Sequence, residues 1–416
     1  MTSTINHPLN RKLRMALVGG SGGGFIGRVH AIAATLDRRA ELVAGAFSSD
    51  ANKSRLAAAE FGVAAERGYG SYRELIEAES RLPADQRPDL ITVATPNHTH
   101  YEIAAAALEA GFHVCCEKPM TIDAQQALQL TRLVERTGAV FVLAHGYSGY
   151  PLVRQAREMI AAGELGRIHA VRVTYLQGGL WGIQPGQPLA RGAWKADPAK
   201  AGPSGTMADL GTHAFHLLRF TTDLTPLEIS ATLANVHPAR PLDDYGHAVV
   251  RCDGGALTAI TVSQVTHGRL NDLTLEVDGS RGSLVWRQED PDRLTLRRHG
   301  QPAQIYERNR RTAYSDIVQA ACRLPGGHPE GVLEAFANVY CDAFDAIVQR
   351  ATGQRAELRR TIYPNVYDGL EGVWFVQQCL ASHRDQGSWR AFPRAQTDTA
   401  NGGLRIGESI TVAISK

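Results

Sequence analysis

The stretch LRMALVGGSGGGFIGRVH at residues 13–30 decides the fold of this chain. Its first part, LRMALVG (13–19), is short, apolar and rich in Leu and Val, as expected of a buried parallel strand. A glycine-rich loop follows, in which Gly22, Gly24 and Gly27 satisfy the spacing G-x-G-x-x-G as a helical pattern begins. Because glycine lets main-chain N–H groups and a helix N-terminus approach a pyrophosphate closely, this order of elements favours dinucleotide binding over a merely flexible turn.

The glycine loop is longer than the minimal dinucleotide fingerprint, because Gly19, Gly20 and Ser21 are inserted ahead of it. The sequence therefore leaves open which glycine contacts the phosphates. Phe25 and Ile26 lie within the fingerprint, and we predict that they line the cofactor with it.

Strand and helix patterns alternate through residues 13–149, which is typical of a doubly wound parallel sheet of the Rossmann type. The strand candidates are rich in Val, Ile and Leu. We therefore predict an α/β dinucleotide-binding domain over residues 1–149. Its strands are expected at 13–19, 41–47, 89–95, 112–116 and 140–145, and its helices at 27–36, 53–61, 72–79, 100–110 and 123–137.

The pattern changes after Tyr150, and from residue 227 to residue 307 strands follow one another without intervening helices. We therefore predict a C-terminal α+β domain over residues 150–385, with a large, mostly antiparallel open sheet. Its other elements are expected at 151–162, 167–176, 208–219, 330–350 and 362–381, before a tail (386–416) in which residues 408–416 alternate like an edge strand.

The composition is that of an ordinary globular protein of two domains. The chain has 416 residues, 44% hydrophobic and 21% charged, with a formal net charge of +2. The charge gives no footprint for nucleic acid or an anionic membrane, and no apolar run is long enough to span a bilayer. The N-terminus lacks an apolar signal core, so a cytoplasmic protein is expected. None of the six cysteines forms a C-x-x-C pair, which predicts free thiols and no metal site.

The end of the second predicted strand bears on the choice between NAD and NADP. An acid at this place usually holds the ribose hydroxyls of NAD, but the strand ends in Ser48-Ser49-Asp50. The two serine hydroxyls, with Lys53 and Arg55 downstream, suit a 2′-phosphate and favour NADP. Asp50 can instead reach the ribose or cap the next helix, so NAD stays open.

Two further loops are expected at the carboxyl edge of the same sheet, where open α/β sheets bind ligands. In HVCCEKPM (113–120) a buried strand ends in Glu-Lys-Pro, which places a lysine at this edge and an X-Pro bond that can be cis. ATPNHTH (94–100) follows the third strand, and its turn-forming and capping residues also suit a cofactor-lining loop. The predicted cofactor contacts from these loops are Thr95, Pro96, Asn97, His100, Glu117 and Lys118.

The last polar cluster lies in GPSGTMADLGTHAFH (202–216). Asp209 and His213 are four residues apart on a predicted helix and therefore share one face, and His216 lies three residues further on roughly the same side. The spacing also fits a capped helix with an ion pair. A metal site fits less well, because no third ligand is evident nearby.

Taken in this order, the glycine loop, Thr95-Pro96-Asn97, Glu117-Lys118-Pro119 and the Asp209–His213 pair resemble the Gfo/Idh/MocA oxidoreductase family, the group of glucose–fructose oxidoreductase and inositol dehydrogenase. The resemblance covers roughly residues 13–385. It implies an N-terminal Rossmann domain, a C-terminal domain with an open antiparallel sheet, and chemistry on a sugar or polyol carbon with NAD(H) or NADP(H).

The resemblance also assigns catalytic roles. Lys118 matches the family's catalytic lysine, and Asp209 and His213 match its Asp-x-x-x-His pair. His213 suits the role of base, because the ordinary pKa of histidine lies near neutrality, and Asp209 is expected to orient it. Lys118 would polarise the forming carbonyl or relay the proton, and the sequence leaves open which of Lys118 and His213 accepts the proton first.

Substrate contacts are predicted from residues near the expected cleft, with a structural role as the alternative for each. Two departures from the family bear on them: Gly202-Pro203-Ser204-Gly205 stands where three glycines are usual, and His216 replaces a frequent acid. The candidates are His145, Tyr147, Trp194, Lys195, His216, Gln264 and His328.

The predicted function is hydride transfer between a nicotinamide cofactor and a secondary alcohol or ketone of a sugar, sugar derivative or cyclitol. Two alternatives stay open: glycoside cleavage through transient oxidation by bound NAD, and a non-catalytic nucleotide sensor on the same fold. The open sheet face is expected to be covered in a homodimer or homotetramer. The sequence names neither the sugar nor the physiological direction.

Overall fold

A parallel sheet and a larger, mostly antiparallel sheet organise the chain. The computed structural model describes residues 6–21, 25–182, 193–238, 240–354, 361–397 and 404–406. The predicted edge strand at 408–416 lies outside these residues, as do Gly22 and Gly24.

The N-terminal sheet has five parallel strands in the order β2-β1-β3-β4-β5, with helices on its faces. The strands and helices predicted from the sequence are confirmed, and their ends agree to within two residues. The elements are β1 (Leu13–Gly19), α1 (Phe25–Thr35), β2 (Ala40–Ala46), α2 (Ala51–Glu60), α3 (Tyr72–Ser80), β3 (Leu90–Ala94), α4 (His100–Glu109), β4 (His113–Cys116), α5 (Ala124–Thr137) and β5 (Phe141–Leu143).

The second sheet has nine strands and follows the helix α6 (Pro151–Ala161). Its strands are β6 (Ile168–Leu176), β7 (Pro226–Ala234), β8 (Tyr245–Cys252), β9 (Leu257–Ser263), β10 (Asp272–Gly279), β11 (Ser283–Arg287), β12 (Asp290–Arg297), β13 (Gln304–Glu307) and β14 (Arg390–Ala391). They lie in the order β13-β12-β11-β10-β6-β9-β8-β7-β14, and only the β6–β9 pair is parallel among the described strands. The predicted antiparallel architecture is therefore confirmed.

Helices join the two sheets and close the structure. The helix predicted at 208–219 begins as a π-helical turn (Met207–Gly211), which continues directly into an α-helix (Thr212–Thr222). The helices are α7 (Pro198–Ala201), α8 (Thr212–Thr222), α9 (Asp316–Ala321), α10 (Val332–Ala351) and α11 (Val366–Arg384), and a small hairpin follows, β15 (Ala395–Thr397) with β16 (Leu404–Ile406).

Helix α10 returns to the N-terminal sheet and covers one of its faces. Phe336 and Tyr340 are buried in one cluster with Met15 of β1 and Cys115 of β4. The helix also lies directly against the loop after β5, since a Cβ added at Gly149 would be 1.9 Å from a main-chain oxygen of α10. Each such buried aromatic contributes roughly 1.5–3 kcal/mol, so α10 is a large part of the N-terminal core.

The six cysteines are free thiols, as predicted, and five of them are buried. Within the described ranges, no helix combines the length and the apolar character that crossing a bilayer requires.

Candidate active site

A cleft of about 460 Å³ lies between the carboxyl edge of the parallel sheet and the second sheet, a usual size for a small-molecule site. Three groups of predicted residues meet in it. Phe25, Ile26 and Thr95 come from the cofactor side, Lys118 follows the end of β4, and Asp209 comes from the π-helical turn Met207–Gly211. The expectation that the strand-end loops converge at one edge is therefore fulfilled.

The shape of the glycine loop depends on Gly19 and Gly20, which lie ahead of the fingerprint spacing. Gly19 and Gly20 have φ of +96° and +99°, in the region that favours glycine. A Cβ at Gly19 would lie 2.3 Å from the carbonyl oxygen of Ala94, and a Cβ at Gly27 would lie 2.3 Å from Cα of Gly20. The first two glycines thus bring β1, β3 and α1 together, and this close backbone cradle at a helix N-terminus fits a dinucleotide pyrophosphate.

Glu117 holds the Glu-Lys-Pro loop in place through hydrogen bonds of its buried carboxylate. Its buried carboxylate accepts a hydrogen bond from Nε2 of His30 at 3.0 Å and another from the main-chain N–H of Lys118 at 3.1 Å. Burial opposes the charged form, but His30 outweighs it and holds the pKa of Glu117 below its usual value. His30 also contacts the hydroxyl of Tyr340 at 2.8 Å, and the Lys118–Pro119 peptide is cis. Sequence reasoning missed His30 and Tyr340, whose positions carry no motif.

Lys118 and Asp209 form the centre of the site. Nζ of Lys118 donates to Oδ1 of Asp209 at 2.5 Å and to its main-chain oxygen at 2.8 Å. The other carboxylate oxygen accepts from Nζ of Lys195 at 2.8 Å and from Nε2 of Gln264 at 3.1 Å. Burial would raise the pKa of Asp209, but the two lysines outweigh it and hold that pKa well below its usual range. The predicted residues Lys118, Asp209, Lys195 and Gln264 are thus one connected group.

His213 is held by a second histidine instead of by Asp209. Its Nδ1 lies 3.1 Å from Nδ1 of His145, so one of these nitrogens donates to the other. The expectation that Asp209 orients the ring of His213 by direct contact is wrong, because the described side chains that donate to its carboxylate are Lys118, Lys195 and Gln264, while His213 contacts His145. Burial, assisted by nearby positive charge, holds the pKa of His145 and of His213 well below the usual range, so both rings are neutral at neutral pH.

His216 lies behind this pair and does not reach the cleft. Its ring stacks on that of His145 with centroids 4.4 Å apart and is buried. Burial, with a contribution from Arg157 and Arg219, lowers the pKa of His216 to about 3. The predicted substrate contact at His216 is therefore wrong; the residue supports His145 from the core.

Tyrosine and amide side chains form a polar wall of the cleft. The hydroxyls of Tyr147 and Tyr175 lie 2.5 Å apart, and the Tyr175 hydroxyl donates to Oδ1 of Asn271 at 2.8 Å. Nε2 of Gln177 donates to the same oxygen at 2.7 Å. Burial raises the pKa of both tyrosines, so their hydroxyls stay protonated and can exchange hydrogen bonds with a hydroxyl-rich ligand. Only Tyr147 of this group was predicted.

The residues predicted for the cofactor side fall into two groups. Thr95 and Asn97 line the cleft, and Asn97 also donates to the main-chain oxygen of Ala201 at 2.9 Å. His100 is buried, and its two ring nitrogens lie 2.9 Å from the carbonyl oxygens of Pro119 and Thr95. It therefore holds the two loops together, and Pro96 precedes the short turn Asn97–Thr99 between them.

The polar residues after β2 form the N-terminal cap of α2. Asp50 is the N-cap of α2 and accepts from the main-chain N–H groups of Asn52 and Lys53, each at 3.0 Å. The hydroxyl of Ser48 accepts from the main-chain N–H of Asp50 at 3.1 Å. The capping alternative for Asp50 is therefore confirmed, while Ser49 and Lys53 are both exposed.

Two other substrate predictions have different outcomes. Trp194 lines the cleft, with Nζ of Lys195 at 5.9 Å from its ring centroid. His328 is exposed in the turn before α10, and its carbonyl oxygen accepts from the buried Arg308. His328 is not among the residues that line the cleft, so its contact with a substrate stays a prediction. No group of three or more His, Cys, Asp or Glu among the described residues is placed to hold a metal ion.

The glycine cradle, the edge lysine and the Asp-x-x-x-His helix together define a nicotinamide-dependent oxidoreductase built from two domains. The chain belongs to the Gfo/Idh/MocA family: residues 13–145 match the oxidoreductase family with an NAD-binding Rossmann fold, and residues 153–285 match a Gfo/Idh/MocA C-terminal domain. The family resemblance and the predicted fold class are thereby confirmed.

Among its relatives, the uncharacterised oxidoreductase YfiI of Bacillus subtilis is 32% identical over 92% of this chain and 98% of its own. Levoglucosan dehydrogenase of Pseudarthrobacter phenanthrenivorans is 30% identical over 67% of this chain and 75% of its own. An inositol dehydrogenase homologue from Azotobacter vinelandii, solved with NADH and myo-inositol, is similar in structure, with a TM-score of 0.85, 34% identity, and coverage of 92% of this chain and 98% of that one.

Proposed function

We propose that this protein is an NAD(H)-dependent dehydrogenase or reductase that acts on a secondary alcohol or ketone of a sugar, sugar derivative or cyclitol. The observation that carries the proposal is the contact of Lys118 with Asp209, beside His213, at the carboxyl edge of a dinucleotide-binding sheet. The names of the relatives support the substrate class, since one is a levoglucosan dehydrogenase and one was solved with myo-inositol.

The cofactor in this proposal is NAD(H). The preference for NADP drawn from the serines after β2 finds no support, because the similar inositol dehydrogenase homologue was solved with NADH and with NAD⁺. Gly19, Gly20 and Gly27 would hold the pyrophosphate at the N-terminus of α1, with Thr95 and Asn97 further along the cleft. A bound nicotinamide supplies or accepts the hydride.

The side chains divide the remaining work. Lys118 commits two of its three N–H groups to Asp209, which leaves one to donate to the oxygen of the reacting carbon. His213 is neutral and contacts His145 through Nδ1, so Nε2 is the nitrogen left to take the hydroxyl proton. That role requires His213 to donate from Nδ1 to His145, which can accept because its ring is also neutral. Asp209 keeps Lys118 in place, and Tyr147 lines the hydroxyl-rich part of the cleft.

The test compares Lys118→Ala with the wild-type chain, and with Lys12→Ala as an exposed-lysine control. NADH binding is followed by fluorescence titration, and turnover is followed by NADH absorbance across a panel of sugars and cyclitols. We expect Lys118→Ala to lose turnover by at least about 10²-fold while NADH affinity changes little, because lysine acts in proton transfer and polarisation. Retained turnover in this variant would overturn the assignment.

The same assays separate the two alternative functions. Release of an aglycone without net NADH formation would identify glycoside cleavage by transient oxidation. Tight NADH binding without turnover of any compound in the panel would identify a nucleotide sensor.

A further inference from the structure

A second, smaller cavity adjoins the catalytic group at Asp209. It has a volume of about 20 Å³ and shares four residues with the main cleft: Asn97, Trp194, Lys195 and Asp209. Arg240, from the loop between β7 and β8, and Gln264, directly after β9, also line it. The space is large enough for one or two oxygen-sized atoms, since a single water needs about 10–15 Å³.

Arg240 brings an unsatisfied buried cation to this cavity. The residue is 7% exposed, and its Nε is buried without a hydrogen-bond partner in the described part of the chain. A buried donor without a partner costs about 1–3 kcal/mol, and more when it is charged, so the position calls for an acceptor that the described residues do not provide.

The neighbouring carboxylates are already satisfied. Asp243 accepts from the hydroxyl of Ser204 and from two main-chain N–H groups, at 2.7–2.8 Å. Asp244 accepts from the main-chain N–H groups of Val236 and His237 at 2.8 and 2.6 Å. Asp209 is held by the two lysines and Gln264. These acids lower the electrostatic cost of burying the charged guanidinium of Arg240, but none of them accepts a hydrogen bond from its Nε.

Lys195 adds a second set of donors. It uses one N–H group on Asp209, so two remain, and its side chain lines both cavities and is 42% exposed. Two cations with free donors thus border one small cavity next to the reacting centre.

We propose that Arg240 and Lys195 form a carboxylate-binding subsite, and that the substrate is a sugar acid with its carboxylate close to the carbon that is oxidised or reduced. The planar fork of arginine matches two carboxylate oxygens, and the small cavity suits that group better than a tetrahedral phosphate. The inference rests on the proposed function for the reaction, but the subsite itself can be tested by binding alone.

The experiment uses the full chain loaded with NADH and measures ligand binding by calorimetry. The probes are D-glucuronate and D-gluconate, with D-glucose as the neutral counterpart and glucose 6-phosphate as the phosphorylated one. Each is measured on the wild type, on Arg240→Gln, on Arg240→Lys, and on Arg81→Gln as an exposed-arginine control. Turnover with NAD⁺ is measured in parallel.

We expect the acids to bind at least about tenfold more tightly than glucose, and Arg240→Gln to remove that difference while leaving glucose binding unchanged. Arg240→Lys should retain part of it, because the charge remains but the fork does not. Equal binding of acid and glucose by the wild type would overturn the subsite, as would a difference that persists in Arg240→Gln. Preference for the phosphate would overturn the carboxylate assignment. Arg240-dependent acid binding without turnover of any sugar would support the subsite and count against the proposed function only.

Discussion

Replacing Asp209 with Asn should destabilise the protein through the lysine that it holds. Lys118 and Asp209 have side chains only 12% and 20% exposed, and their charged atoms are 2.5 Å apart. At an effective dielectric constant of about 20, charges at this separation attract by about 7 kcal/mol, most of which offsets the cost of removing them from water. Asn keeps the shape of Asp but leaves Lys118 and Lys195 facing each other without an anion. We therefore expect the free energy of unfolding to fall by about 3 kcal/mol.

A double-mutant cycle tests the cause of this loss. If the loss comes from uncompensated Lys118, then Lys118→Met in the same chain should recover about 1–2 kcal/mol of it, since contacting residues couple by 0.5–3 kcal/mol. Stability is measured by urea denaturation with tryptophan fluorescence on the cofactor-free protein. Glu77→Gln is the control, because its i,i+4 partner Arg81 is exposed and such a pair contributes less than about 0.5 kcal/mol.

Two results would refute the reasoning. One is a urea denaturation midpoint for Asp209→Asn that is no lower than the midpoint for Glu77→Gln. The other is strict additivity, in which the double variant loses the sum of the two single losses, because that would mean Lys118 and Asp209 do not act on each other.

Three further predictions concern the cofactor loop, the buried histidine and the loop support. Gly27→Ala should weaken NADH binding at least about tenfold by fluorescence titration, because its Cβ would meet Gly20 at 2.3 Å; unchanged affinity contradicts the cradle. The folded-state pKa of His216 is about 3, so as the pH falls the unfolded chain binds a proton at this residue before the folded protein does. The free energy of unfolding of the wild type should therefore fall by about 2 kcal/mol more than that of His216→Phe between neutral pH and about pH 5. Parallel curves of stability against pH for the two proteins would exclude this. Glu117→Gln should lower the free energy of unfolding, measured by urea denaturation, by about 2 kcal/mol, because His30 loses a charged acceptor. An unchanged denaturation midpoint would mean that the His30–Glu117 hydrogen bond does not stabilise the loop.

The sequence was sufficient for the architecture because short apolar strands and their spacing are local signals. A strand end placed Lys118 at the carboxyl edge of the sheet, whereas Asp209 was assigned to the site by the family resemblance, because its spacing from His213 alone also fits a capped helix. The sequence did not predict that His145 holds His213, because this contact joins residues 68 positions apart and no spacing rule relates them. Arg240 was missed for the same reason: it lies in a turn, and only its burial beside Asp209 distinguishes it.

The glycine loop shows a different limit. The fingerprint spacing identified the right function for the loop, yet the positive φ angles described by the structure belong to Gly19 and Gly20, ahead of the spacing match. Backbone conformation, which a motif does not encode, decides which glycine is indispensable.

Helix α10 has a consequence for protein engineering and for recombination during evolution. It lies about 200 residues after the parallel sheet in the chain, but it buries Phe336 and Tyr340 against that sheet and also lends Val332 and Phe336 to the cleft. A chimaera that exchanged only residues before Tyr150 would place a foreign sheet against the original helix. Such an exchange should succeed only when α10 travels with the N-terminal segment, so two segments far apart in the chain have to be exchanged as one unit.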